Sequence, residues 1–178
     1  MVYYNYKTNK GQIKMNIRKA EEKDIPRLLE IYNYEVINGV STLDLNPKTL
    51  EEWQEWFARH QTPAHPLLAA ECDGIIAGYA TLSSYRQKEA YKTTAELSVY
   101  IAPEFRRQGI ASVLMEEILK IARKNGSLHL IVSVITSGNA ASEALHKKFG
   151  FSYCGTIHEV GFKHGELRSI DNFELIIR

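Results

Sequence analysis

The chain has 178 residues, 44% hydrophobic and 24% charged, which fits one globular domain with a core of its own. With 22 Lys and Arg against 21 Asp and Glu, the formal charge is +1, so no global field favours nucleic acid or an anionic membrane. No apolar run approaches the roughly 20 residues of a membrane span, and Cys72 and Cys154 show neither CxxC spacing nor a disulfide framework. Both cysteines read as small buried apolar side chains.

In chain order, "MVYYNYKTNKGQIK" (residues 1–14) is polar and lacks the apolar centre of a signal peptide. It reads as a flexible tail on a cytoplasmic protein, with the folded domain over 15–178. Residues 13–18 predict a short strand. Asp24 followed by Pro26 predicts a capped helix running to about Val36. A second helix follows Pro47, with Trp53, Trp56 and Phe57 on one side. "PLLAAEC" and "IIAGYATL" predict two strands joined at Asp73-Gly74. "TTAELSVYIA" is a strand stopped by Pro103. A helix then runs to Asn125-Gly126, and "LHLIVSVI" is a buried strand. Asn139 to Lys148 is a short helix closed by Gly150. "FSYCGTIHEV" and "DNFELII" form a final antiparallel pair. Alternating strands and helices in the second half imply crossover units, and the hairpins at both ends make the sheet mixed.

"APEFRRQGIASVLMEEIL" (residues 102–119) holds a puzzle. Ile110, Val113, Leu114 and Ile118 recur at helical spacing, yet Gln108 and Gly109 stand where a Ser, Thr, Asp or Asn cap belongs. Arg106 and Arg107 crowd the end where the helix dipole is already positive. A bound anion such as a pyrophosphate would satisfy the free N–H groups and both arginines. A solvated basic turn fits this stretch equally well. There is no Walker or dinucleotide glycine motif, no G-x-S-x-G elbow and no paired histidine spacing for a metal.

"RRQGIA" (106–111), preceded by "AELSVYIAP" and followed by "SGNAASEALHKKFGF", resembles the GNAT family of N-acetyltransferases. Together with "VGFKHGELRS", these segments are similar to its phosphinothricin and methionine sulfone/sulfoximine branch. The resemblance implies an α/β (α+β) fold: a central, mixed, mostly antiparallel twisted sheet flanked by helices and splayed at the acetyl-CoA site. It implies that Val99, Tyr100 and Ile101 bind the pantetheine arm like an added strand. It places the pyrophosphate on Arg106, Arg107, Gln108, Gly109, Ile110 and Ala111, and Asn139 near the thiol end. As residue types, Val99 and Ile101 would suit any core strand, and Asn139 would suit a helix cap.

The same resemblance makes Glu96 the general base that takes a proton from the ammonium of the acceptor. The Val99 N–H would stabilise the oxyanion. His146 replaces the tyrosine common in the wider family and would assist the departing thiolate. "YRQKEAY" offers Arg86, Lys88 and Tyr91 for a substrate carboxylate. Lys163 and His164 would close the site from a neighbouring subunit of a homodimer. Leu43 stands where the branch often has an aromatic residue, which weighs against phosphinothricin itself as a good substrate. The expected activity is thus acetyl transfer from acetyl-CoA to the amine of a small amino-acid-like molecule, with no metal, nucleic acid or membrane involved. The alternatives are another acceptor (a protein N-terminus, a polyamine or an aminoglycoside) and a non-catalytic acyl-CoA sensor.

Overall fold

The computed structural model describes the backbone of residues 2–8 and 11–177, and the side chains from Lys14 to Ile177. Eight strands lie in one sheet: β1 (Val2–Thr8), β2 (Gly11–Lys19), β3 (Leu67–Cys72), β4 (Ile75–Ser84), β5 (Thr94–Ile101), β6 (Leu130–Thr136), β7 (Ser152–Lys163) and β8 (Glu166–Ile176). The helices are α1 (Ile25–Asn38), α2 (Leu50–Arg59), α3 (Ile110–Lys124) and α4 (Ala140–Lys148). Strand order is β1-β2-β3-β4-β5-β6-β8-β7. Every neighbouring pair is antiparallel except β5 and β6, which α3 joins as the crossover that a parallel pair requires.

The parallel pair decides where the site lies. β5 and β6 are in register only at Thr94–Leu130, Ala95–Ile131 and Glu96–Val132. Beyond Glu96, β5 follows β4 as far as Ile101 while β6 follows β8. The sheet therefore forks, and one edge of β5 lies open. Gly78, opposite Ile101, helps to hold β5 against β4 here. A Cβ at that position would lie 2.6 Å from the Tyr100 carbonyl oxygen and 2.5 Å from Ile101 Cδ1.

Alternation along the strands divides the core in two. Ala70, Ala95 and Leu97 face α3, whereas Leu67, Ala69 and Tyr79 pack beneath α1 and α2 with Leu28, Trp53 and Phe57. This packing explains how α3 forms without a capping side chain. It buries Ile110, Val113, Leu114, Met115, Ile118 and Leu119. At about 1.5–3 kcal/mol for each large apolar side chain, that burial far exceeds the ~1 kcal/mol a cap supplies.

Several expectations are corrected. Where a tail was expected over residues 1–14, Val2–Thr8 and Gly11–Lys19 pair as a hairpin, from Val2–Ile17 to Thr8–Gly11. The tyrosine-rich stretch has strand propensity, and the free edge of β2 receives it. Met1, Asn9 and Lys10 from that span lie outside the described residues. Asp24 does not cap α1 with its side chain. Its carboxylate instead accepts from Arg18 (2.6 and 2.9 Å) and the Glu21 N–H (2.8 Å). Cys72 is buried as expected, but Cys154 is exposed, because β7 is an edge strand. The final hairpin extends past both predicted ends and turns at His164-Gly165, where both residues have positive φ. Among the described residues no helix is long and apolar enough to cross a membrane.

Candidate active site

Two cavities meet at the fork. The first, of about 540 Å³, runs between the diverging strands, with Val99, Tyr100 and Ile101 on one wall and Val134 to Thr136 on the other. Residues 106–112 close one end; Asn139, Ser142 and His146 of the α4 region close the other. The second, of about 480 Å³, lies under α1 and α2 and holds Glu96. Ser98 and Tyr100 line both, so β5 is the partition between them.

The sequence places these groups for local reasons. Gly109 adopts φ 78°, a left-handed conformation open to glycine, and turns the chain into α3 with no side chain over its first N–H groups. Those N–H groups, the exposed Arg107 and the Gln108 side chain border the first cavity. Arg106 borders it too, but its guanidinium is already engaged. Nε donates to the Ile101 carbonyl (3.2 Å), and Nη2 is ion-paired with Glu35 of α1. Asn139 is the N-cap of α4, where its Oδ1 accepts from the Ser142 N–H (3.2 Å), while its side chain still lines the cavity.

His146 is buried between Phe151 and Phe173, with ring centroids at 5.0 and 6.2 Å. Its Nδ1–H donates to the Ser142 carbonyl (2.8 Å), which leaves Nε2 as the unprotonated nitrogen. Nε2 has no protein partner. Burial lowers the pKa of His146, outweighing the opposite pull of the Ser142 carbonyl. The ring is thus a neutral acceptor at Nε2 rather than a ready acid.

Glu96 occupies the last paired position before the fork and points to the α1/α2 face together with Ser98 and Tyr100. Burial raises its pKa, and among the described residues no side chain forms an ion pair or hydrogen bond with it. A carboxylate that is desolvated and unpaired is poised to accept a proton. The same cavity is lined by Tyr32, Trp53, Trp56 and Tyr79, with Lys48 and Arg59 as its cations. Asp44 also lies there. Burial works to raise its pKa, but the Tyr32 hydroxyl (2.7 Å) and Lys48 (3.0 Å) outweigh this and hold it low.

Arg86, Lys88 and Tyr91 do not line either cavity. Arg86 is exposed, with its guanidinium over the rings of Tyr85 and Tyr91 at 4.9 and 5.7 Å. Leu43 lies outside both cavities as well and packs on Gly161 of β7. Lys163 and His164 bind their own chain. Lys163 Nζ donates to the carbonyls of Thr42 (2.8 Å) and Glu35 (3.3 Å), and His164 Nε2 to that of Gly39 (3.1 Å). They hold the segment between α1 and α2, which supplies Ser41 to the first cavity and Thr42 and Asp44 to the second.

The sequence reading missed Tyr32, Lys48, Arg59 and Glu35. Glu35 carried a signal, since it continues the apolar stripe of Leu28 and Ile31 at helical spacing and so had to be buried with a partner. Among the described residues no three His, Cys, Asp or Glu side chains gather as a metal site would require.

The profile of the acetyltransferase (GNAT) family matches residues 28–151. The chain is 36% identical over 151 residues to an L-methionine sulfoximine/L-methionine sulfone acetyltransferase of Pseudomonas paraeruginosa, covering 84% of this chain and 87% of that protein. It is 35% identical over 167 residues to a phosphinothricin N-acetyltransferase of Streptomyces coelicolor, covering 92% and 97%. A crystal structure of a phosphinothricin acetyltransferase from Sinorhizobium meliloti in complex with acetyl-CoA superposes with a TM-score of 0.87 at 30% identity, covering 91% of this chain and 88% of that one.

Proposed function

Because this chain belongs to the acetyltransferase (GNAT) family, we propose that it moves the acetyl group of acetyl-CoA to the primary amine of a small amino-acid-like acceptor. The single observation that carries this is the partition at β5. The open strand edge and the uncapped α3 suit a pantetheine–pyrophosphate chain in one cavity. A desolvated carboxylate waits in the adjoining one.

The acetyl donor occupies the fork, its pantetheine arm along Val99 to Ile101 and its pyrophosphate at residues 107–111. Asn139 lies near the thiol end. The acceptor enters under α1 and α2, and its ammonium loses a proton to Glu96, directly or through one water. The free amine attacks the thioester carbonyl, and the Val99 N–H supports the oxyanion. Collapse breaks the C–S bond, and the second proton of the attacking nitrogen passes, directly or through one water, to the departing coenzyme thiolate, leaving the amide and the free thiol. His146 lines the same end of the cleft as Asn139, and its buried Nε2 has no partner among the described residues. With Nδ1–H fixed by Ser142, neutral His146 holds a water or the thiol proton there instead of donating one itself.

The acceptor is of the methionine sulfone, methionine sulfoximine or phosphinothricin type, the compounds named for the relatives. The aromatic walls take its aliphatic part, and Arg59 or Lys48 takes its anionic group. Arg86, Lys88 and Tyr91 stay as carboxylate ligands only if that surface loop folds inward on the acceptor. The chain pairs with a second copy through the β7–β8 hairpin, which exposes Ile157, Val160, Phe162 and Leu167.

The test compares methionine sulfone with its carboxamide as acceptors. A drop in kcat/KM of about 100-fold or more for the amide is expected from the loss of a charge-assisted pair. Equal rates would overturn the carboxylate assignment.

A further inference from the structure

The geometry points to Glu35 as the residue that limits how tightly the coenzyme is held, by cancelling the charge of Arg106. This rests on the assignment of the first cavity to acetyl-CoA. Glu35 is 6% exposed, yet it lines that cavity together with Arg106, Arg107 and Gly109. A carboxylate in the wall of a pyrophosphate site has the wrong sign for binding. It is tolerated because Arg106 pairs with it.

Arg106 is in turn fixed by its own chain at three points: the Glu35 carboxylate, the Ile101 carbonyl (3.2 Å) and the ring of Tyr34, 5.5 Å below the guanidinium. The pair it forms with Glu35 is neutral. The attraction left for a pyrophosphate comes from Arg107, the N–H groups of α3, and Lys148, whose ammonium reaches Ser112 Oγ (3.3 Å). Lys163 also approaches Glu35, but through the backbone carbonyl (3.3 Å), and it is shared with Thr42. Glu104, two residues before Arg106, also feels its charge but is ion-paired with Arg27.

Acetyl-CoA and product CoA carry the same pyrophosphate. Stronger holding there would slow product release as much as it aided capture, without favouring the transition state. Glu35 keeps that uniform binding in check.

The experiment is calorimetric titration of CoA into wild type, E35Q, R106Q and the E35Q/R106Q double variant, at low and high salt. Glutamine keeps the shape of Glu35 and an oxygen for Arg106, and removes only the charge. E35Q is expected to bind CoA about three- to tenfold more tightly at low salt. The gain should fade near ~1 M salt, where the screening length is about 3 Å. R106Q leaves the carboxylate unpaired and should bind more weakly. The double variant should return to within about twofold of wild type.

Unchanged or weaker binding by E35Q overturns the inference. So does a double variant as weak as R106Q, because Arg106 would then bond the pyrophosphate itself. Should E35Q fail to unfold cooperatively on heating, the double variant carries the test, since neither charge is left alone in it. A wild-type protein that does not bind CoA overturns the assignment of the cavity instead.

Discussion

Replacing Glu96 with glutamine separates chemistry from fold. The substitution keeps the volume of the side chain and removes its basicity. A positioned general base is worth about 10²–10⁴ in rate, or about 3–5 kcal/mol of barrier. The structure offers little to replace it. Asp44 is tied to Tyr32 and Lys48, Glu52 is tied into the α2 cap with Thr49, and Glu55, the remaining carboxylate of the cavity that holds Glu96, is exposed to water rather than desolvated beside β5. The same burial that raises the Glu96 pKa also makes its ionised form unfavourable in the fold. A raised carboxyl pKa means that the folded state binds the proton more readily than the unfolded state does. Stability is therefore lost as pH rises from the ordinary carboxyl pKa toward the raised one, a range that begins well below pH 7. E96Q should thus lose about 10²–10⁴ in kcat while its melting temperature at pH 7 rises. CoA affinity should stay within about twofold of wild type, because Glu96 faces the other cavity. The assays are thiol release, thermal unfolding and CoA titration on the same preparation. Rates within about tenfold of wild type, or a fall in melting temperature alongside the lost rate, would refute the reasoning.

Other consequences follow from the same contacts. Thr49→Ala removes the acceptor for the Glu52 N–H and should cost about 1 kcal/mol in urea unfolding. Burial lowers the pKa of both His60 and His146, so the unfolded chain takes up their protons first. Stability should be full above about pH 6.5 and fall as pH drops below it, and His146→Phe should flatten part of that slope. Gly78→Ala drives a Cβ into the Tyr100 carbonyl and should destabilise by about 1–3 kcal/mol, with a loss of CoA affinity as β5 shifts. Phe162→Glu on the exposed hairpin should leave the protein monomeric in sedimentation equilibrium, whereas an unchanged mass would exclude that face as the dimer contact.

The order and kind of the elements were largely legible because each announces itself within a few residues. Asp73-Gly74 is a two-residue hairpin turn, and its φ values of 47° and 85° fit that role. The face of α3 is written in its periodicity. The uncapped start of α3 and the strand before it, read with the family resemblance, pointed to the cleft proposed for the coenzyme. What stayed hidden depends on which distant segments meet. Arg106 looked free because its partner, Glu35, is 71 residues away in sequence. Arg86 looked like a substrate ligand because it is close to Glu96 in sequence, yet the strand carries Glu96 inward and leaves Arg86 outside. Lys163 and His164 gave no local sign of reaching back to α1. The sequence also could not reveal which nitrogen of His146 is protonated, because a carbonyl one helical turn away decides it.

The most direct measurement is release of CoA thiol from acetyl-CoA across a panel of amines: methionine sulfone, methionine sulfoximine, phosphinothricin, ordinary amino acids, a polyamine and a short peptide. The account predicts turnover with the amino-acid analogues, yielding one N-acetylated product per thiol. Turnover confined to the polyamine or the peptide would contradict the acceptor assignment, and CoA binding without turnover on any amine would contradict catalysis itself.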